Sequence, residues 1–416
     1  MFRRVSALVL ALLSAGIPLG SHAASTFTSD TTIGGSTFTG LSYDSAEGLV
    51  LSVTSQHLLS LLPGYGGNEL VSLVGSYRGV PISIGIPNGS SEVSLFMDLG
   101  GGTHISRFFN TGVSRDENVQ LMLDFIKNSG LMASVAQTLA ATTATDPVAG
   151  NPNSLMSTMI AADYEQAFFS DFTHIASPEG QAAGEAGRAA MTQMGMGLEY
   201  GHMSPGGISV DSFTIPLSYT IRNDLDPRRQ LMLRMPISII DVDGAKAYHL
   251  GFGASYRYPM NAQWSLIPSF NYAFTAATDL GSTAQMASVG LTSTYYWRMD
   301  GYDVGMGNML GYVTTMPFSY QGYDYDPGID NTVLRNGVMV SVPVSVQGRK
   351  MHFETSLVDT RFFGSDLYSD NYQELRFTLG TTRSAKTAST GLFRVGLALL
   401  HTPHDNGYKI EFGYWF

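Results

Sequence analysis

The sequence predicts an all-β protein: a transmembrane antiparallel β-barrel of about twelve strands, preceded by helices and a small β-rich N-terminal region. Three observations lead there. Only 14% of the 416 residues are Asp, Glu, Lys or Arg, against about 25% in an ordinary globular chain. Beyond the N-terminus, no run of about 18 apolar residues offers a membrane helix. From residue 193 onward, apolar and small polar residues alternate in segment after segment, the period of strands with two unlike faces.

Residues 1–23 carry Arg3 and Arg4, then an apolar stretch, then Ser21, His22 and Ala23 ahead of Ala24. This is the form of a secretory signal peptide cut after Ala23, and Gly16 and Pro18 break it too early for a membrane anchor. The chain has no cysteine, so an exported protein of this sequence has no disulfide framework and relies on burial or on a membrane. A net charge of -11 leaves no basic stripe to displace counterions from phosphates, which excludes nucleic acid as partner.

Residues 24–113 are rich in Gly, Ser and Thr. Alternating runs at 49–53, 81–86 and 93–97, with turns at 64–67 and 87–89, predict β structure that forms a cap or a plug. Residues 114–192 then switch to helical period, as a linker and lumen plug. Ser114 and Glu117 make a capping box ahead of Val119, Met122, Leu123 and Ile126. After a break at 146–152, Leu155, Met156, Met159, Ile160 and Ala167 share another helix face. A third helix starts at Ser177, Pro178 and Glu179, where cap, first-turn proline and first-turn acid agree. Its body is Ala and Gly with no large apolar face. Each glycine costs a soluble helix nearly 1 kcal/mol, and a confined space such as a barrel lumen supplies a reason for so thin a helix.

Residues 193–416 hold the expected wall. Runs such as Leu231, Leu233, Met235, Ile237 and Ile239, or Val338, Val340, Val342, Val344 and Val346, put apolar side chains on one face. The other face is Gly, Ser and Thr with the charges Glu199, Arg234, Arg257, Arg298, Glu354, Glu374, Arg376, Arg394, Lys409 and Glu411, which are expected to face the lumen. In hydrocarbon every backbone group must be paired, so lipid-facing strands of this kind close into a barrel. Short connections near 259–262 and 347–350 belong on the periplasmic side, and longer ones near 275–284, 315–331 and 363–371 outside.

The last strand is the most specific motif. Tyr408, Ile410, Phe412, Tyr414 and Phe416 alternate with Lys409, Glu411, Gly413 and Trp415, which resembles the assembly signal of bacterial outer-membrane proteins. With the slim helix at 178–190 and the first-strand segment 194–202, the chain resembles the autotransporter-type translocator barrel, in which a helix ahead of the first strand lies in the lumen. That resemblance implies the outer membrane of a Gram-negative bacterium, outer-membrane lipids and lipopolysaccharide as surroundings, and the barrel-assembly machinery and periplasmic chaperones as partners. It implies a monomer acting in transport or surface display. The sequence departs from the family in having a short N-terminal region without repeats in place of a long passenger. No Asn-Asn cleavage junction stands in the lumen-helix region, so a solitary autotransporter-like barrel is the better description.

Other readings stay open: a general porin or diffusion channel with up to four more strands drawn from 24–113, an adhesin or receptor acting through outer loops, or a barrel lipase. His202, Met203 and Ser204 match the His-x-Ser spacing of some outer-membrane lipases, with no evident third member to orient the imidazole. Asp324, Asp326 and Asp330 suit either Ca²⁺ or a solvated acidic loop. His401, His404 and Asp405 suit either a transition metal or a plain turn. Paired glycines such as Gly195 and Gly197, Gly251 and Gly253, and Gly305 and Gly307 read as small lumen residues rather than phosphate loops. No enzyme activity, cofactor or metal is expected.

Overall fold

The computed structural model describes residues 27–169 and 192–415, apart from positions 44, 78, 101, 129–130, 224, 227, 243, 278–281, 321–322, 326 and 382–391. The expected signal peptide, the expected slim helix at 178–190 and Phe416 therefore lie outside the described residues.

The N-terminal part is a two-layer body. Strands β1 (Phe27–Ile33), β2 (Ser36–Tyr43), β3 (Val71–Tyr77), β4 (Val80–Ile86), β5 (Val93–Gly100) and β6 (Thr103–Phe109) form one antiparallel sheet in the order β2-β1-β3-β4-β5-β6. None of them joins the barrel wall, which removes the reading that drew extra wall strands from 24–113. One sheet face is apolar because alternation places Phe27 and Ile33, Leu73, Ile82 and Ile84, and Leu95 on the same side. Helices α1 (Ala46–Leu51), α2 (Ser55–Leu61), α3 (Arg115–Asn128) and α4 (Leu131–Thr142) cover that face. Val119, Met122, Leu123 and Ile126 of α3 complete the core.

The run at 49–53 is not a strand. Ser45 caps a helix there, its hydroxyl accepting from the Gly48 N–H at 3.0 Å. Leu49, Val50 and Val53 then face the sheet together, a spacing that serves one helical face as well as it serves a strand. The start of α3 is capped as the sequence predicts: Ser114 Oγ accepts from the Glu117 N–H at 3.2 Å, and Glu117 reaches back to the Val113 N–H at 2.8 Å.

The second part is a closed barrel of twelve antiparallel strands. In chain order these are β7 (Thr192–Met203), β8 (Val210–Arg222), β9 (Gln230–Val242), β10 (Ala245–Pro259), β11 (Trp264–Ala277), β12 (Ser282–Arg298), β13 (Asp303–Met316), β16 (Asp330–Val346), β17 (Arg349–Gly364), β18 (Asn371–Thr381), β19 (Leu392–His401) and β20 (Asn406–Trp415). A small hairpin, β14 (Phe318–Tyr320) and β15 (Tyr323–Tyr325), stands in the loop between β13 and β16. The ring closes where β20 pairs with β7, with Ile410 opposite Tyr200 and Phe412 opposite Leu198. Closure leaves no edge strand.

The outer surface is apolar. Val289 is 54% exposed, Leu310 57% and Leu357 51%, and comparable side chains recur on every strand from Met194 to Tyr414. A patch of that extent is foreign to a soluble monomer and suits hydrocarbon. Strand β16 shows the rule plainly: from Asp330 to Val342 exposed and buried residues alternate without a break.

The start of β7 and the end of β20 lie at one end of the barrel, here the terminal end. The far end holds the 317–329 loop, the 365–370 loop and the N-terminal body, joined to it by the Tyr368 N–H donating to Ala140 O at 2.8 Å and the Ser369 N–H to Gly150 O at 3.0 Å. Where a long loop is expected near 275–284, the β11–β12 ladder continues to Ala277 and Ser282, which confines the connection to 278–281, outside the described residues.

Candidate functional site in the barrel lumen

Among the described residues, one helix lies inside the barrel. It is α5 (Leu155–Phe168); the slim segment at 178–190 that the sequence nominated lies outside the described residues. Fourteen residues at about 1.5 Å each reach roughly 21 Å, most of the height of the apolar band. Met156 lies beside Asn331 near the far end, and Phe168 lies beside Tyr296 toward the terminal end. The chain therefore descends through the lumen before it enters β7.

Above α5 the segment 146–154 corks the far mouth. It has no regular structure, yet every residue in it is buried. Buried irregular backbone needs partners for its polar groups, and the segment supplies them from within. Asp146 Oδ1 accepts from the N–H groups of Val148 at 2.8 Å and Ala149 at 3.1 Å. Asn151 Nδ2 donates to Asp146 O at 2.7 Å, and Ser154 Oγ donates to Asn151 O at 2.7 Å. Ser154 then caps α5.

The far side of α5 is matched to the wall in two ways. Toward β12, β13, β16 and β17 the contact is apolar: Met156, Ile160, Tyr164 and Phe168 pack among Met286, Met309, Val313, Val333 and Val358. Glycines let the helix approach. A Cβ at Gly307 would stand 2.7 Å from Tyr164 Oη and 2.8 Å from the Phe168 ring, so these lumen glycines answer to a packed helix. Tyr164 Oη donates to Gly307 O at 3.0 Å.

Toward β9–β11 and β18–β20 the contact is ionic. Asp163, 1% exposed, is held by the Arg234 guanidinium, by Asn271 Nδ2 at 2.8 Å and by Ser269 Oγ at 2.5 Å. Two residues on, Glu165 accepts from Arg376 at 2.5 Å, on another part of the wall. Arg376 also lies 3.1 Å from Glu411, and Lys409 lies 3.1 Å from Glu199 across the β20–β7 seam. Arg335 pairs with Glu374, donates to Thr360 and Tyr372 at 2.8 Å each, and lies over the Tyr164 ring. Arg394 pairs with Glu354. The last carbonyls of a helix have no partners within it; here Arg257 donates to Ala167 O at 2.7 Å and Tyr296 Oη to Phe168 O at 2.5 Å. Cations at this end also suit the helix dipole.

Of the charges nominated from sequence, Arg234, Arg257, Glu354, Glu374, Arg376 and Lys409 are buried, and Glu199, Arg394 and Glu411 are partly buried. Arg298 stands apart near the terminal end, 4.0 Å from Asp303. The sequence reading missed Arg222 and Arg335, both buried. Extending the valine alternation of β16 back from Val338 would have put Arg335 on the lumen side. It also missed Asp163 and Glu165, which sit on a helix it had read only for its apolar face. A cavity of about 240 Å³ lies beside α5 against β18–β20 and β7–β9, with Arg222, Arg234, Arg376 and Arg394 among its lining.

The remaining candidates have structural partners. His202 does have an orienting group: its Nδ1 lies 2.9 Å from Asp211 Oδ1, which also accepts from Tyr200 Oη at 2.7 Å. Ser204 makes no hydrogen bond to that ring among the described residues. His401 Nδ1 meets Asn406 Oδ1 at 2.7 Å, and the His404 ring packs on Tyr368. Asp330 accepts from Tyr312 Oη at 3.3 Å; the side chains of Asp324 and Asp326 lie outside the described ones.

Twelve strands around a lumen helix is the form that the translocator resemblance implies. No protein-family model matches the chain, and no curated protein matches it. Among solved structures it is similar to the β-domain of the Bordetella autotransporter BrkA, at 12% identity and a TM-score of 0.41, over 54% of this chain and 98% of that one. It is similar to the translocator domain of the autotransporter NalP from Neisseria meningitidis, at 11% identity and a TM-score of 0.42, over 62% and 99%. It is also similar to the KdgM porin, at 10% identity and a TM-score of 0.32, over 53% and 98%. Likenesses of this strength assign no activity.

Proposed function

We propose that this protein is an outer-membrane anchor: an autotransporter-like barrel, closed by its own lumen helix, that holds the N-terminal sheet-and-helix body at the cell surface. The fit of α5 to the wall carries this reading. Its apolar face is buried against the wall, its acids are paired and its terminal carbonyls are capped by wall side chains. Toward β12, β13, β16 and β17 the lumen packed in this way is a core rather than a water-filled channel, which weighs against the general porin.

On this reading the terminal end faces the periplasm and the far end faces outward. The alternating strand that contains Tyr408, Ile410, Phe412 and Tyr414 is what the assembly machinery engages, after periplasmic chaperones deliver the chain as a monomer. Lipopolysaccharide surrounds the outer rim. The protein carries out no catalytic step. Exposed Val74, Phe96 and Phe108 on the helix-free sheet face support a binding role for the displayed body, as in an adhesin.

The test is protease treatment of intact cells that express the full chain with a cleavable tag in the Gly34–Gly35 turn beside Ser36. Cleavage without outer-membrane permeabilisation is expected; cleavage only after permeabilisation would overturn surface display. In planar bilayers the purified wild type is expected to be silent, and a steady open conductance would overturn the closed lumen.

A further inference from the structure

The charges of wall and helix are unequal in a directed way. Arg222, Arg234, Arg257, Arg335, Arg376, Arg394 and Lys409 give the described lumen wall seven buried or partly buried cations. Glu199, Glu354, Glu374 and Glu411 give it four carboxylates, while the rim pair Arg298 and Asp303 is neutral in sum. The helix adds Asp163 and Glu165 and no cation. Most of the wall's excess positive charge is thus answered by the helix.

The wall partners of Asp163 are also arranged as a receptor. Arg234 from β9 and Ser269 and Asn271 from β11 converge on one carboxylate, one charged and two neutral donors. Arg234 is further fixed by donating to Ala162 O at 2.8 Å. A planar guanidinium flanked by two short donors matches a carboxylate in both charge and geometry. Glu165 occupies a second such position at Arg376.

We propose that the lumen wall is a carboxylate-binding, anion-selective surface, and that α5 masks it by supplying its own carboxylates in the places where those of a soluble anion would bind. The inference rests on the reading of α5 as the closing element. Release of the helix turns a closed barrel into a path that favours anions over cations, with its tightest site at Arg234, Ser269 and Asn271. The ligand class is a small solute with two or more carboxylates, spaced to reach Arg234 and Arg376.

The experiment uses the full chain with residues 155–168 replaced by a Gly/Ser segment of equal length, its barrel state checked by heat-modifiable electrophoresis. In a KCl gradient across a planar bilayer, the sign of the reversal potential is expected to report chloride preference. Citrate is expected to block the current, and R234Q in the same background to weaken that block about tenfold or more, as expected for the loss of a charged hydrogen-bonding partner. A folded replacement that is silent, non-selective or cation-selective, or a citrate block indifferent to R234Q, would overturn the proposal while leaving the anchor reading intact. A wild type that already conducts would overturn the closed lumen and leave the selectivity readable. If the replacement does not fold, D163N/E165Q, which keeps the apolar face of α5, takes its place under the same criteria: openings with chloride preference support the proposal, and silence or cation preference overturns it.

Discussion

Replacing Asp163 with alanine is the sharpest perturbation of the lumen. The carboxylate is 1% exposed and accepts from Arg234, Asn271 and Ser269. Its removal leaves the Arg234 guanidinium, 6% exposed at the side chain, without its counter-charge. Breaking one partner of a buried pair costs about 3–5 kcal/mol, chiefly through the charge left behind. Arg234 keeps Ala162 O and Asn271 Oδ1, which places the expected loss near the lower end, about 3 kcal/mol. D163A/R234M removes both charges together, so its cost should fall short of the sum of the single variants by about 1–3 kcal/mol. Urea unfolding in detergent micelles, followed by tryptophan fluorescence, measures these differences; Trp264 and Trp297 stand at strand ends. A D163A variant within about 1 kcal/mol of wild type, or an additive double variant, would refute the assignment of Asp163 and Arg234 as a buried couple.

Other perturbations separate the parts. Gly307→Val is expected to drive Tyr164 and Phe168 off the wall, because a Cβ there would stand 2.7 and 2.8 Å from them; overpacking of this kind costs about 1–3 kcal/mol, and the same unfolding assay reads it. Leu310→Arg on the outer face should cost about 2–4 kcal/mol in vesicles and far less in detergent, which distinguishes a lipid-facing position from a soluble surface. Arg115→Met removes donors to Tyr65 Oη at 2.8 Å, Ser90 O at 2.8 Å and Pro87 O at 3.1 Å; the loss should weaken the N-terminal body to proteolysis and leave the heat-modifiable shift of the barrel unchanged. The backbone N–H of Gly66, with those of neighbouring residues, holds the exposed Glu69 carboxyl below its usual range. Such a group favours folding above its unfolded value and loses that contribution as pH falls through the lowered one. An NMR titration should show the depressed midpoint.

The wall was legible because strands write their two faces directly into the sequence at period two. Val338 to Val346, Leu231 to Ile239 and the last strand needed only the requirement that lipid-facing backbone close on itself. Helices in the interior were harder. Both 155–168 and 178–190 carry helix signals, and the slim one suits a lumen by its small bulk and by its place just ahead of the first strand. The structure places a helix with Tyr164 and Phe168 there, because Gly305, Gly307 and Gly337 on the wall supply the room that the helix itself does not leave. That complementarity joins residues more than 130 apart in the chain and has no local trace. The pairing of Asp163 with Arg234 was hidden for the same reason. At 49–53, two templates fitted five residues equally well, and only the cap at Ser45 separates them.

The descent of the chain through the barrel has a mechanical side. Tension on the N-terminal body, applied by whatever grips it from outside, runs through the segment 146–154 into α5. There it meets resistance from β9, β10, β11, β12, β13 and β18 at once, through Arg234, Arg257, Asn271, Tyr296, Gly307 and Arg376. Force is thereby shared sideways across half of a ring instead of being concentrated on the outermost pair of one ladder, the arrangement of a bolt seated in a collar.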